Sequence, residues 1–174
     1  QADLVDDSFH FFNPKAGLTY TLNNKNNFYL SYARANREPN RSDYEGGNVK
    51  PEKLNDFELG WRYVSAKTQI NLNGYYMLYK DQLVLTGALD DVGNPIRTNV
   101  GKSYRLGVEL DAVFKLSDKW NLMPNITVSS NKNQDFVFDN GTTLEELGTT
   151  NIAFSPNVIA ANSIVYAPLK NLQM

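Results

Sequence analysis

The residues able to do chemistry in this 174-residue chain fall in a few short stretches. RANREPNRSDYEGGN, from residue 34 to residue 48, sets Arg34, Arg37 and Arg41 around Tyr44. Guanidinium forks beside a phenol ring suit an anionic, partly aromatic ligand, so Arg37, Arg41 and Tyr44 are the candidate binding residues. Charged surface loops are also ordinary, and that reading competes with the first. Asp56 with Glu58, and Glu109 with Asp111, place paired carboxylates at a spacing of two. General acid–base work would require their pKa values to be driven apart. Arg62, Arg105 and Lys115 share their parity, which favours cross-strand ion pairs instead. Asp135 to Asp139 and Glu145–Glu146 offer oxygen ligands, but their spacing fits no calcium loop, and a solvated acidic loop is expected. His10 is the single histidine and sits in an unpatterned segment, a surface position rather than a catalytic one. The sequons at Asn40, Asn125 and Asn140 are assigned no role. The expectation is a protein that is not an enzyme, with no catalytic residue, metal site or cofactor.

Composition narrows the class. A formal charge of -2 supplies no basic field for nucleic acid. The absence of cysteine excludes a disulfide scaffold and a thiolate metal centre. A mean hydropathy of -0.46 resembles a soluble protein. It equally resembles a membrane β-barrel, because half of each strand faces water. No apolar run approaches the ~18 residues of a membrane helix. The opening QADLVDDSFH has neither a basic start nor an apolar core, so any export signal is expected upstream.

The elements that must position the charged residues are strands. In YRLGVELDAVFKL, Tyr104, Leu106, Val108, Leu110, Ala112, Phe114 and Leu116 share one parity. Arg105, Glu109, Asp111 and Lys115 share the other, with Val113 as the exception. A period of two over this length is a strand with one greasy and one charged face. The pattern recurs from Phe12 to Leu22, in NFYLSYARAN, in LNDFELGWRYV, in TQINLNGYYMLYK and in WNLMPNITVSS. It recurs more weakly in NVIAANSIVYA, where Asn162 interrupts the greasy parity. About seven strands follow. Short connections (NNKN, SAK, SDK, PLKN) alternate with long ones from residue 37 to 52, 81 to 102 and 131 to 156. An up-and-down meander then has its short turns at one rim and its long loops at the other. TTLEELGTT, with a Thr-x-x-Glu start, is expected to form one helical turn at most. No linker or second domain is evident.

A soluble sandwich also alternates, its greasy face packing on a second sheet. Strands of about 10 to 13 residues exceed the usual five or six of sandwiches and match a bilayer crossing. Long loops at every second connection are unusual in compact domains. Tyr20, Tyr32, Trp61, Tyr63, Tyr104, Trp120 and Tyr166 lie on the greasy parity near strand ends, where barrels carry aromatic girdles. The fold class is therefore all-β, an antiparallel up-and-down meander forming part of a transmembrane β-barrel, with a passive porin-like wall or a soluble structural sheet as the alternative. The charged parity borders water, because unpaired burial costs several kcal/mol per group.

Several blocks carry a family resemblance. NPKAGLTY, NFYLSYARANREPN, VKPEKLNDFELGWRY, NVGKSYRLGVELDAVFKL and FSPNVIAANSIVYA occur in the order found in TonB-dependent outer-membrane receptors. Lys50, Pro51, Glu52, Glu58, Leu59 and Gly60 carry one motif; Asn99, Val100, Gly101, Gly107, Val108, Glu109 and Leu110 carry the other. Asn157, after the proline, is a departure, since many members have another polar residue there. The resemblance spans nearly the whole chain, residues 1–174, and implies a bacterial outer-membrane location in a lipid bilayer. It further implies a barrel of about 22 strands, of which about seven are here, roughly a third of the wall. It implies import of a scarce small-molecule ligand, a ferric siderophore or similar iron complex, with energy from the TonB complex through a plug domain. The plug and the final strands are expected to lie outside this chain, which ends on LQM rather than an aromatic. In this class the outer loops help select ligand, which is the role the resemblance gives Arg37, Arg41 and Tyr44; loop arginines also meet lipopolysaccharide phosphates. A piece with two open sheet edges and a bare greasy face is expected to self-associate when isolated.

Overall fold

The computed structural model describes residues 7–47, 49–139 and 144–169. One antiparallel sheet holds every strand: β1 (Lys15–Asn23), β2 (Asn26–Arg37), β3 (Glu52–Val64), β4 (Thr68–Leu89), β5 (Pro95–Lys115), β6 (Trp120–Asp139), β7 (Leu144–Asn151) and β8 (Val158–Tyr166). Each strand from β1 to β7 pairs with the next, and β8 pairs with β6. Residues 120–128 of β6 pair with β8, and residues 132–139 pair with β7. β7 and β8 are thus consecutive parts of one stave along the same side of β6. The eight strands therefore make seven staves.

The greasy parity lies bare, with Leu30 53%, Leu59 61% and Leu106 50% exposed. No second sheet covers it among the described residues, so the two-layer sandwich is excluded for them. Along β5 and the first residue past it, the apolar parity runs from Tyr104 to Leu116. At about 3.4 Å per residue and a tilt near 40°, that run spans roughly 30 Å of height, the hydrocarbon thickness of a bilayer. Aromatic pairs mark its margins. Trp120 stacks on Tyr166 at 4.3 Å and Trp61 lies 6.1 Å from Tyr63 toward the short turns. Tyr32–Phe57 at 5.0 Å and Tyr76–Tyr104 at 6.3 Å lie toward the long connections. The β5–β6 ladder steps from Asp111–Asn125 to Phe114–Leu122, skipping Pro124, which has no N–H to donate.

Two expectations are corrected. The stretch from residue 81 to 102 is not a structureless loop: β4 and β5 pair out to Leu89 and Pro95. The hairpin closes at Asp90–Asn94, where Asp90 Oδ1 accepts from the Val92 and Asn94 N–H groups and Gly93 takes a φ of 87°. TTLEELGTT forms no helical turn in its described part, because residues 144–151 pair with β6 as β7. Thr142 and the sequon at Asn140 lie outside the described residues.

On the inward parity, tyrosines fill the space of missing side chains. A Cβ at Gly60 would overlap the Tyr29 ring, and one at Gly107 would lie 2.5 Å from Tyr75 Oη. Arg62 caps the first pair, 4.9 Å above the Tyr29 ring. Gly17 on β1 meets only a carbonyl oxygen at 3.7 Å. Gly60→Ala and Gly107→Ala are therefore expected to lower the stability of the full receptor in detergent by about 1–3 kcal/mol each. Gly17→Ala should change it by less than about 0.5 kcal/mol. Denaturant midpoints followed by tryptophan fluorescence check this ordering.

Candidate functional site

The segment between β2 and β3 does not hang free. Its centre is a short 3₁₀ helix, Arg41–Gly46, which Asn40 and Asp43 cap reciprocally. Asn40 Oδ1 accepts from the Asp43 N–H at 3.1 Å, and Asp43 Oδ2 accepts from the Asn40 N–H at 2.9 Å. Asp43 is fully buried at 0% exposure. Arg37 and Arg97 approach its two oxygens at 3.8 and 3.6 Å. A buried carboxylate needs such partners, since an uncompensated charge costs several kcal/mol.

Further contacts tie this segment to the β4–β5 hairpin and brace both. Asn99 Oδ1 accepts from the Lys50 N–H at 2.6 Å, while its Nδ2 donates to the carbonyls of Lys50 at 2.9 Å and Asp81 at 2.6 Å. Glu52 accepts from the Leu83 N–H and binds Arg37 Nε at 2.8 Å. That hydrogen bond raises the Arg37 pKa above its ordinary value. Val49, Leu83 and Val100 are buried at the same rim. Asp81 itself takes a φ of 57°, a left-handed turn at the point where the wall passes into the projecting hairpin.

Arg41 and Tyr44 thus share the 3₁₀ helix, Arg37 ends β2 beside it, and the three differ in freedom. Arg37 is bound to Glu52 and Asp43. Tyr44 donates from Oη to Asp7 at 2.9 Å, and burial together with the Asp7 carboxylate pushes its pKa up. Arg41 is exposed and forms no ion pair among the described residues. Arg34 stands apart, on the outward parity of β2. Sequence reasoning missed Asp43, Asn99 and Arg97, which bind partners from about 50 residues away in the chain or across the rim. The available signal was Asn40-x-x-Asp43, a capping pair.

The expected ion pairs on the inner wall do not form among the described residues. Register explains why: Glu58 faces Ser31 and Tyr75, Glu109 faces Asn73 and Thr127, and Asp111 faces Asn71 and Asn125. Neutral side chains separate the charges. Arg105 donates to Ser155 Oγ at 2.9 Å, and Lys115 binds Asp118 in the turn at 2.8 Å. Among the described residues the inner wall is a polar surface whose carboxylates face neutral side chains on the neighbouring strands. Glu145 and Glu146 are exposed on β7, and no cluster of metal-ligating side chains occurs among the described residues. His10 is exposed.

A one-layer wall with a bare apolar band, aromatic margins and a polar inner face defines a transmembrane β-barrel of the bacterial outer membrane. Residues 2–167 match the family model described as TonB dependent receptor-like, beta-barrel. The chain belongs to that family. It is 26% identical over 126 residues to the ferric-pyoverdine 358 receptor of Pseudomonas putida, covering 70% of this chain and 15% of that protein. Its fold is similar to the siderophore receptor PirA from Acinetobacter baumannii (TM-score 0.69, 16% identity, 92% of this chain and 27% of that one). It is also similar to the copper transporter OprC (TM-score 0.65, 20% identity, 87% of this chain and 24% of that one). The chain therefore spans a minor part of the length of each of these relatives.

Asp43→Ala in the full receptor removes a cap and leaves Arg37 and Arg97 without their shared anion. It is expected to weaken docking of the 38–51 segment by about 1–3 kcal/mol. Amide hydrogen exchange at residues 40–50 should then accelerate by about ten-fold or more, while β2 and β3 below the rim exchange as before.

Proposed function

We propose that this chain forms part of the wall and outer rim of a TonB-dependent importer of a scarce, anionic ligand, a ferric siderophore or similar iron complex. The observation that carries the reading is family membership, joined to a curated relative whose name states a ferric siderophore. The rim adds chemistry that suits such a ligand. Arg41 and Tyr44 stand on an element fixed by buried Asp43, and Arg37 closes its base. A guanidinium and a phenol on a rigid support match an anionic, partly aromatic surface. Energy would reach the barrel from the TonB complex through a plug domain.

Transport of radiolabelled iron complexes by cells under iron limitation tests the function. Uptake should require both the receptor and TonB; uptake that survives loss of TonB would indicate a passive pore. Deleting residues 37–48 from the full receptor should abolish or sharply reduce it, and unchanged transport would remove the rim from the ligand path. Arg41→Ala separates binding from architecture, since Arg41 forms no ion pair in the docked segment. It should weaken ligand binding about 5–30-fold, the scale of a lost charged hydrogen bond, with docking intact.

The isolated 174-residue piece should self-associate in water, hiding its bare band and open edges. Sedimentation velocity without detergent reads this directly, and a monodisperse monomer would contradict it.

A further inference from the structure

The stave formed by β7 and β8 breaks between Asn151 and Val158. The Ile152 N–H donates to the Asn131 carbonyl at 3.1 Å, and the Ser129 N–H donates to the Asn157 carbonyl at 2.7 Å. Between these two bonds β6 contributes only Ser130, whereas the stave contributes Ala153, Phe154, Ser155 and Pro156. The surplus residues must leave the plane of the sheet. They leave it on the inner side. Arg105, on the inward parity of β5, donates from Nη1 to Ser155 Oγ at 2.9 Å across β6. Ser129, on the inward parity of β6, donates from Oγ to the Pro156 carbonyl at 3.3 Å.

The bulge holds Phe154 at a φ of 55°, a left-handed conformation that is an outlier for a bulky residue. Yet Phe154 is 92% exposed. A side chain so open gains little packing in return, so its surroundings impose the conformation. Ser155 Oγ donates to the Ala153 carbonyl at 3.3 Å, and Asn131 Nδ2 donates to Ser129 Oγ at 2.8 Å. Pro156 has a fixed φ and confines Ser155 to extended backbone. Ile152 is buried at the foot of the bulge. A strained residue persists where the structure around it over-determines it, and such strain collects at functional sites. The result here is a rigid bulge that presents a phenyl ring on the inner wall.

Arg105 supplies a charge beside it. Met77 and Asn131, opposite Arg105 in the register, are neutral, and so are its partners Ser155 and Tyr79. Among the described residues Arg105 forms no ion pair. It follows Tyr104, where the outward apolar run begins, so the cation and the bulge stand at the long-connection end of the bilayer band. In β-barrels that end faces the cell exterior, which places them one step inward of the rim carrying Arg41 and Tyr44. A fixed ring beside an unpaired guanidinium suits a ligand that is both aromatic and anionic. A ferric tris-catecholate has both properties: its rings can stack, and the complex is negatively charged. A ferric trihydroxamate is neutral and lacks such rings. We propose that Phe154 and Arg105 form an inner-wall subsite that receives a ferric catecholate. The inference rests on the importer reading above and narrows its ligand class.

The test uses the full-length receptor in detergent, titrated by calorimetry with a ferric tris-catecholate and, separately, with a ferric trihydroxamate. The wild type should bind the first and discriminate against the second. Phe154→Gly keeps the turn, because glycine adopts a positive φ freely, and removes only the ring. It should weaken catecholate binding about ten-fold, the scale of one aromatic pair, with a denaturant midpoint unchanged or raised. Phe154→Tyr should bind as the wild type does. Arg105→Gln should weaken binding about ten-fold or more, and Arg105→Lys should recover part of the loss. This chain has no cysteine, so Phe154→Cys introduces a thiol of its own. That thiol should react with a maleimide in the free receptor and be protected by bound ferric catecholate. Equal affinity of the wild type and Phe154→Gly would overturn the proposal, as would a thiol equally reactive with and without the complex. A thiol already unreactive in the free receptor would also overturn it, by showing that protein covers the bulge. A wild type that prefers the trihydroxamate would remove this subsite and leave the importer reading standing. Binding of neither complex, together with no TonB-dependent iron uptake, would remove both.

Discussion

A single layer of sheet must satisfy its own backbone while its two faces meet different solvents. In hydrocarbon no water is available to an unpaired N–H or carbonyl, so every strand needs a neighbour along its whole crossing. That requirement explains the uninterrupted ladders from β2 to β5 through the apolar band. It also explains why the alternation is strict there, since a slip of one residue would turn Glu58 or Arg62 toward lipid. Packing between layers, the usual source of stability, is absent among the described residues. Cross-strand pairs take its place, aromatic on the outside and tyrosine-over-glycine on the inside.

Beyond the band the constraint lifts, and the structure changes character. Past Asp81 the β4–β5 hairpin rises above the band, and its strands no longer alternate cleanly. What holds the rim is instead a small dry cluster, Val49 with Leu83 and Val100, surrounded by polar groups that each meet several partners. Asn99 alone satisfies three backbone groups across two connections. Glu52 substitutes for a missing ladder bond to Leu83 while binding Arg37. The rim is therefore built like a miniature globular core attached to a membrane wall.

This difference decides what the sequence reveals. The strands inside the band are legible because two solvents impose a period of two on YRLGVELDAVFKL and its relatives. The upper halves of β4 to β7 are not, because a stretch such as LVLTGAL buries a single side chain, Leu83, and has no repeating dry face to pattern. The turn at Asp90–Asn94 is nevertheless readable, since an aspartate two and four residues before receiving N–H groups, with glycine at a positive φ, is turn chemistry. The rim residues are half legible. Composition picks out Arg37, Arg41 and Tyr44, and the Asn40-x-x-Asp43 spacing hints at the cap, but the contacts of Arg37 with Glu52 and of Asn99 with Lys50 join residues that no local pattern links. The inner ion pairs fail for a related reason: parity gives the face of a charge, whereas only register gives its neighbour.

Docking of the rim bears on how any ligand is held. A free loop of a dozen residues would lose about 0.5–1.5 kcal/mol for each long side chain it had to order on binding. Here much of that ordering is complete beforehand. The reciprocal cap between Asn40 and Asp43 fixes the start of the 3₁₀ helix, and the arginines on Asp43 fix its base. Arg37 is committed to that support, because releasing it to a ligand would expose buried Asp43 and free Glu52 from its partner. Arg41 carries no such obligation, so it can engage an anion without dismantling its own support. Tyr44 lies between the two, because its hydroxyl is committed to Asp7 while its ring remains available for stacking. The rim thus divides its cations between holding the platform and facing outward from it, and the buried carboxylate of Asp43 sets that division.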